Sequence, residues 1–208
     1  GQNRFTSSFY AYPCCFNYLP CLMKNILLLG ATGSIGDSAL DVIAQNPDSL
    51  NLYGMAFHSN IGKGSNIANT HFPAFIYLEN INHKKTLIEK VNAKTEILSG
   101  KDELHNLLND PNIDVIISAI SGFSGLETTL MAAKTGKTIL LANKESIVVA
   151  GDIILPLAKE FNTKVIPIDS EHNAIFQCLV GEKAKEDVSK IIITASGGPF
   201  VNKSLDQL

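Results

Sequence analysis

Four short stretches of this 208-residue chain hold the residues best suited to chemistry. The first is Gly30-Ala31-Thr32-Gly33-Ser34-Ile35-Gly36. Glycines at this spacing permit a tight turn at Gly30, approach of the backbone to a diphosphate at Gly33, and close helix–strand packing at Gly36. A helix opening here would turn unbonded N–H groups and a positive dipole end toward phosphates. The spacing is GxxGxxG rather than GxGxxG, so a glycine-rich turn without a ligand stands as the alternative.

The second stretch is Asn143-Lys144-Glu145-Ser146 and the third Asp169-Ser170-Glu171-His172. Asp169 and Glu171 flank one residue, and two carboxylates so close repel unless a cation lies between them. Hard oxygen donors of this kind suit Mg²⁺ or Mn²⁺ rather than a thiolate-seeking metal. A plainer account fits both stretches as well. Asn143 would cap a helix beside a solvated Lys–Glu pair, and Asp169 or Ser170 would cap another with Glu171 in its first turn. The fourth stretch, Thr194-Ala195-Ser196-Gly197-Gly198-Pro199-Phe200, offers a hydroxyl and a flexible backbone to a phosphate, or is a structural turn.

Two further segments bear on a nucleotide. The run after the second apolar stretch is His58-Ser59-Asn60, with Lys63 close behind. An NAD site places an acid there for the ribose 2′-hydroxyl; the polar and basic groups present favour NADP with its 2′-phosphate. Ser118-Ala119-Ile120-Ser121-Gly122 ends a later apolar run and either walls a nicotinamide pocket or makes an ordinary strand-to-helix turn.

The elements that must position these groups alternate in the α/β manner. Asn25–Leu29, Leu50–Phe57, Ala74–Leu78, Thr95–Leu98, Ile113–Ile120, Thr138–Leu141, Lys164–Ile168 and Lys190–Thr194 read as strands. Ser34–Gln45, a segment from Ile61, Lys101–Leu108, a helix containing Glu127–Lys134, Ile153–Phe161 and His172–Val180 read as helices. The expected fold is a Rossmann-like, doubly wound parallel sheet followed by the start of an α+β catalytic domain. Residues 23–150 would form the nucleotide-binding domain and 151–208 the incomplete start of the catalytic, metal-binding one. Residues 1–22, aromatic and Cys-rich ahead of Met23, read as an extension outside the fold.

Composition excludes several classes. Hydrophobic residues make up 45% and charged residues 18%, which suits a packed core. A net charge of -3 without a long basic run argues against nucleic acid, and no apolar run is long enough to span a bilayer. Cys14, Cys15, Cys21 and Cys178 form no CxxC pair, in keeping with a cytoplasmic protein. Cys178, within the apolar run Ile175–Leu179, reads as a small buried hydrophobe and not as a nucleophile.

Taken in order, GATGSIG, LLANKES, IDSEHNAIFQ and ASGGPF resemble the 1-deoxy-D-xylulose 5-phosphate reductoisomerases of non-mevalonate isoprenoid biosynthesis, from about Met23 to Phe200. The resemblance implies an NADPH- and Mg²⁺- or Mn²⁺-dependent oxidoreductase that isomerises and reduces a small phosphorylated sugar, giving 2-C-methyl-D-erythritol 4-phosphate. It implies that Gly30, Thr32, Gly33, Ser34, Ile35, Ser59, Asn60, Asn143 and Glu145 adjoin the cofactor. Lys144, Ser170, Glu171 and Ser196 would meet the substrate, Asp169 and Glu171 the metal, and Lys144, Asp169 and Glu171 would carry the catalysis. The family often has a glycine and a basic residue where this chain has His58 and Ser59. It also continues past ASGGPF with a third carboxylate ligand, a loop with a His over the site and a helical domain. On this reading the chain is a partial one, inactive alone and homodimeric at full length. A non-catalytic NADP-binding module and a semialdehyde- or homoserine-type dehydrogenase are the alternatives.

Overall fold

A computed structural model describes residues 22–122, 124–179, 188–192 and 204. Its core element is β1 (Lys24–Leu29), whose Leu27, Leu28 and Leu29 are fully buried. A strand covered on both faces must be apolar at every position, which is why this run lacks the alternation of a half-exposed strand. The alternate residues still sort to opposite faces. Ile26 and Leu28 join one core with Met55, Phe57, Ile76 and Leu78; Leu27 and Leu29 join another with Ala56, Ile116, Ile139 and Leu141.

The chain then runs α1 (Ser34–Gln45), β2 (Leu50–Phe57), α2 (Ile61–His71), β3 (Phe75–Leu78), a 3-10 turn at Ile81–His83, α3 (Lys84–Ile88) and β4 (Glu96–Leu98). It continues through α4 (Lys101–Leu108), β5 (Val115–Ser118), α5 (Ser124–Ala132), β6 (Thr138–Leu141), α6 (Lys144–Glu160), β7 (Lys164–Pro167) and α7 (Ser170–Cys178). Among the described residues all pairings are parallel, in the order β4-β3-β2-β1-β5-β6-β7. Leu40 and Ile43 of α1, Ile67 and Ala68 of α2, and Leu87 of α3 close the first core. Leu104, Leu107 and Leu108 of α4, with Ala132 of α5, close the second. Each fully buried Leu contributes about 1.5–3 kcal/mol, so both faces of the sheet hold it together. The doubly wound parallel sheet expected from the sequence is therefore the fold.

Small residues let α6 approach the end of α5 closely: Ala133, just past α5, packs with Ala150, Ala158 and Ile154 of α6 in a third cluster. The boundary expected after residue 150 falls at a kink inside α6, where Ala150 leaves helical geometry (φ -139°, ψ 25°). Beyond it, β7 still pairs with β6, so one sheet crosses that boundary. Lys190, Ile191 and Ile192 take no strand geometry, although a strand is expected there; Ile193 and Thr194 lie outside the described residues.

The amino-terminal edge of the sheet is tied by polar contacts. Asp114 accepts from Lys24 Nζ and from the Asn25 N–H, both at 2.9 Å. Burial pushes the Asp114 carboxyl up, but the Asn25 N–H and Lys24 outweigh it and hold the group below its ordinary range. Lys137 donates to the Asp110 and Ile113 carbonyls at 2.7 and 2.9 Å. This edge fastens strand starts, which leaves the opposite edge for a ligand.

Candidate functional site

Strands β2, β3 and β4 lie on one side of β1, and β5, β6 and β7 on the other. The loops after β1 and β5 must therefore part in opposite directions, which opens a crevice at their carboxyl ends. A cleft of about 300 Å³ occupies that position. Gly30, Thr32 and Gly33 form one wall, Ala119, Ile120 and Ser121 the facing wall, and Phe57 and His58 one end.

The three glycines have separate physical reasons. Gly30 takes φ +86°, and a Cβ there would sit 2.5 Å from the Ala119 carbonyl oxygen. A Cβ on Gly36 would sit 2.5 Å from the Ala31 oxygen, so this glycine lets α1 press against the turn. Gly33 takes ordinary extended geometry (φ -87°, ψ 174°), and a Cβ on it would meet only the Gly30 oxygen at 3.4 Å. Its missing side chain leaves open space, as a ligand cradle requires. Gly33 is also the N-cap of α1 and gives that helix no side-chain cap. Ser34 and Ile35 follow it on the surface.

Ser59 and Asn60 lie at the exposed carboxyl end of β2, and Asn60 caps α2 by accepting from the Lys63 N–H at 3.1 Å. The glycines that weaken a helical reading of this segment are packed into it: a Cβ on Gly64 would collide with the Phe57 ring. The Lys63 ammonium reaches the glycine turn, donating to the Thr32 carbonyl at 3.1 Å and to Asp37 at 2.7 Å.

Asn143 joins this crevice to the next strand. It is 2% exposed. Its amide donates to the Ile120 and Gly122 carbonyls at 2.6 and 3.0 Å, and its oxygen accepts from the Ser146 N–H at 2.9 Å. The capping role read as the plainer alternative is thus present, and the same side chain fixes the Ile120 wall against the start of α6. Lys144 and Glu145 project from that first turn, both exposed.

At the end of β7, Asp169 caps α7, accepting from the His172 N–H at 3.3 Å and from His172 Nδ1 at 2.6 Å. Glu171 sits in the first turn. Its own backbone N–H, then the Ser170 hydroxyl, then the Lys144 charge hold the Glu171 carboxyl below its ordinary range. Lys144 and Glu171, 27 residues apart, are thereby brought within electrostatic reach. Lys144, Asp169 and His172 also line a shared hollow of about 190 Å³ floored by Leu141, Ile147, Val165 and Pro167. A half-buried and an exposed carboxylate with hard oxygens, Asp169 and Glu171, match a cation such as Mg²⁺, which takes one or two protein carboxylates and completes its shell with water or substrate. No cluster of three or more potential ligands occurs among the described residues.

Ser196 and the whole ASGGPF stretch lie outside the described residues. Cys178 departs from the expectation of a buried hydrophobe: it is free and exposed, because α7 follows the edge strand β7 and none of its residues is buried. Sequence reading also missed the outer end of the crevice, where Tyr77, Glu79, Lys101 and Glu127 gather from three separate segments. Lys101 and Glu127 pair at 2.5 Å across its mouth. Burial pushes the Tyr77 phenol up, so it stays neutral. No local signal marks these residues, since only the strand order brings them together.

Comparison with known proteins follows the same lines. The family model described as 1-deoxy-D-xylulose 5-phosphate reductoisomerase matches residues 26–151, and the model of that family's C-terminal domain matches residues 165–208. Curated relatives named 1-deoxy-D-xylulose 5-phosphate reductoisomerase are 40% identical in Vesicomyosocius okutanii and 42% identical in Clostridium acetobutylicum. Each match covers 89% of this chain and 48% or 49% of the relative, so the chain spans about half the length of the curated relatives it matches. A crystal structure of DOX-P reductoisomerase with NADPH, fosmidomycin and magnesium superposes with a TM-score of 0.80 at 39% identity, over 89% of this chain and 48% of that one. The Zymomonas mobilis 1-deoxy-D-xylulose 5-phosphate reductoisomerase with NADPH gives 0.81 at 37% identity, over 88% and 48%.

Proposed function

The chain belongs to the 1-deoxy-D-xylulose 5-phosphate reductoisomerase family, and from that premise we propose that it binds NADPH in the crevice between β1 and β5 and contributes Lys144, Asp169, Ser170 and Glu171 to a metal-dependent conversion of 1-deoxy-D-xylulose 5-phosphate to 2-C-methyl-D-erythritol 4-phosphate. One observation carries the proposal: the glycine cradle and the Lys144–Asp169–Glu171 group stand on the same carboxyl edge of one parallel sheet, linked by Asn143. Solved relatives that hold NADPH, fosmidomycin and magnesium support the choice of cofactor, metal and phosphorylated ligand.

Bound NADPH supplies a hydride, and a bound Mg²⁺ or Mn²⁺ supplies a Lewis acid. The chain's own residues bind and orient. Gly30, Thr32 and Gly33, with the N–H groups of Ser34 and Ile35 at the start of α1, receive the diphosphate. Ala119 and Ile120 form a dry wall, and Asn143 and Glu145 border the nicotinamide side. Asp169 and Glu171 hold the metal, Asp169 being oriented by His172 Nδ1. Lys144, exposed at the start of α6, clamps an anionic substrate oxygen by its charge. Ser170 contacts the substrate, and Ser196 its phosphate end. The same reading makes the full enzyme a cytoplasmic homodimer, and Val148, Val149 and Ile153 give α6 an exposed apolar face that a partner would cover. No helix among the described residues is long and apolar enough to cross a membrane.

Fluorescence titration with NADPH and NADH, with and without Mn²⁺, tests the proposal. NADPH is expected to bind more tightly by about tenfold or more, the worth of one charge-assisted contact to the extra phosphate. Its affinity should not depend on Mn²⁺, because the carboxylates stand two strands away from β5. Binding of neither nucleotide by a folded sample would contradict the cofactor assignment.

A further inference from the structure

We infer that Lys63 is the residue that selects NADPH over NADH, held ready in the nucleotide-free chain by Asp37 and the Thr32 carbonyl. The inference rests on the NADPH reading above and adds the group that discriminates. In a sheet of this order the adenosine ribose lies between the glycine turn and the carboxyl end of β2. That end carries His58, Ser59 and Asn60, with neither an acid for a 2′-hydroxyl nor a permanent cation for a 2′-phosphate. Lys63 supplies the cation from the next turn of chain. Its backbone is fixed by the Asn60 cap, and Gly64 lets α2 lie directly on Phe57. Its ammonium spans the gap to the glycine turn, 3.1 Å from the Thr32 oxygen.

The partner Asp37 is 54% exposed and sits in the first turn of α1. An exposed pair of this kind is worth little, so exchanging it for a phosphate costs little. A 2′-phosphate carries more charge than one carboxylate and takes over the ammonium. Asp37 then acts as a competing anion that moderates affinity, while NADH leaves the Lys63–Asp37 pair intact.

Titration of wild type, Lys63→Gln, Lys63→Arg and Asp37→Asn with NADPH and NADH tests this. Lys63→Gln should lose tenfold or more in NADPH affinity, with NADH changed less than about twofold. Lys63→Arg should retain selectivity, and Asp37→Asn should bind NADPH several-fold more tightly with NADH unchanged. Equal loss of both nucleotides in Lys63→Gln would make Lys63 a clip for the glycine turn and overturn the inference. So would unchanged NADPH affinity in Lys63→Gln where the wild type is NADPH-selective, and that result leaves the cofactor reading standing. A folded wild type that binds neither nucleotide overturns both.

Discussion

Gly30→Ala and Gly36→Ala are expected to unfold well below the wild type, whereas Gly33→Ala stays within a few degrees of the wild-type midpoint, the small cost of Ala at an N-cap, and loses nucleotide binding. At Gly30 an L-residue would adopt φ +86° and press its Cβ against the Ala119 carbonyl. The left-handed conformation costs roughly 1–2 kcal/mol and the overlap roughly 1–3 kcal/mol more. At Gly36 the backbone is ordinary, and the cost comes from the Ala31 oxygen 2.5 Å from the new Cβ. For a chain of this size about 3 kcal/mol lowers the midpoint by about 10 °C. Gly33 differs because its geometry suits any residue and its Cβ would meet only the Gly30 oxygen, at 3.4 Å. A methyl group there occupies the place of the diphosphate and nothing else. Circular dichroism melts combined with NADPH titration separate the cases: stability falls for two glycines, binding alone for the third. A Gly33→Ala protein with normal NADPH affinity would remove that glycine from the site.

Asn143→Ala is expected to cost about 2–4 kcal/mol, although it changes one residue in a loop. The amide satisfies two backbone carbonyls and caps α6. Losing the cap costs about 1 kcal/mol, and the half-buried Ile120 carbonyl left unpaired costs about 1–3 kcal/mol more, whereas the Gly122 carbonyl keeps the Gly125 N–H at 3.3 Å. The Asn143→Asp variant keeps the capping oxygen but aims a carboxylate at the Ile120 and Gly122 carbonyls, which raises its folded-state pKa above the unfolded value near 3.9. The unfolded chain then releases its proton first, so the variant's deficit grows as pH rises above about 4 and shrinks below it. Chemical denaturation of both variants at pH 7, and of Asn143→Asp across pH, reads these effects. A loss under about 1 kcal/mol in Asn143→Ala would mean that water replaces the amide and the crevice wall is held some other way.

How far the sequence alone reveals this molecule depends on the range of the interaction. The bounds of α1, β2, α4 and β6 follow from local pattern because turns, caps and apolar runs are local facts. Helix α6 begins nine residues before the expected Ile153, since Val148, Val149 and Gly151 disguise a helix that Asn143 caps. The five-residue α3 carries too little periodicity to find. The paired part of β5 stops at Ser118 because Ala119 and Ile120 turn away to line the crevice. Among site residues, the glycine turn is legible because the positive φ at Gly30 and the close Ala31 oxygen at Gly36 demand glycine there. The pairings Lys63–Asp37 and Lys101–Glu127, and the approach of Lys144 to Glu171, depend on strand order. Sequence spacing carries no record of that order.

Amide hydrogen exchange with and without saturating NADPH tests the central claim most directly. The account predicts slowed exchange in the glycine turn from Gly30 to Asp37 and in the facing segment from Ala119 to Gly122. It predicts little change at the opposite edge of the sheet, around Asn51, Ala74 and Thr95. Protection confined to that edge, or absent from the glycine turn while NADPH is bound, would contradict it.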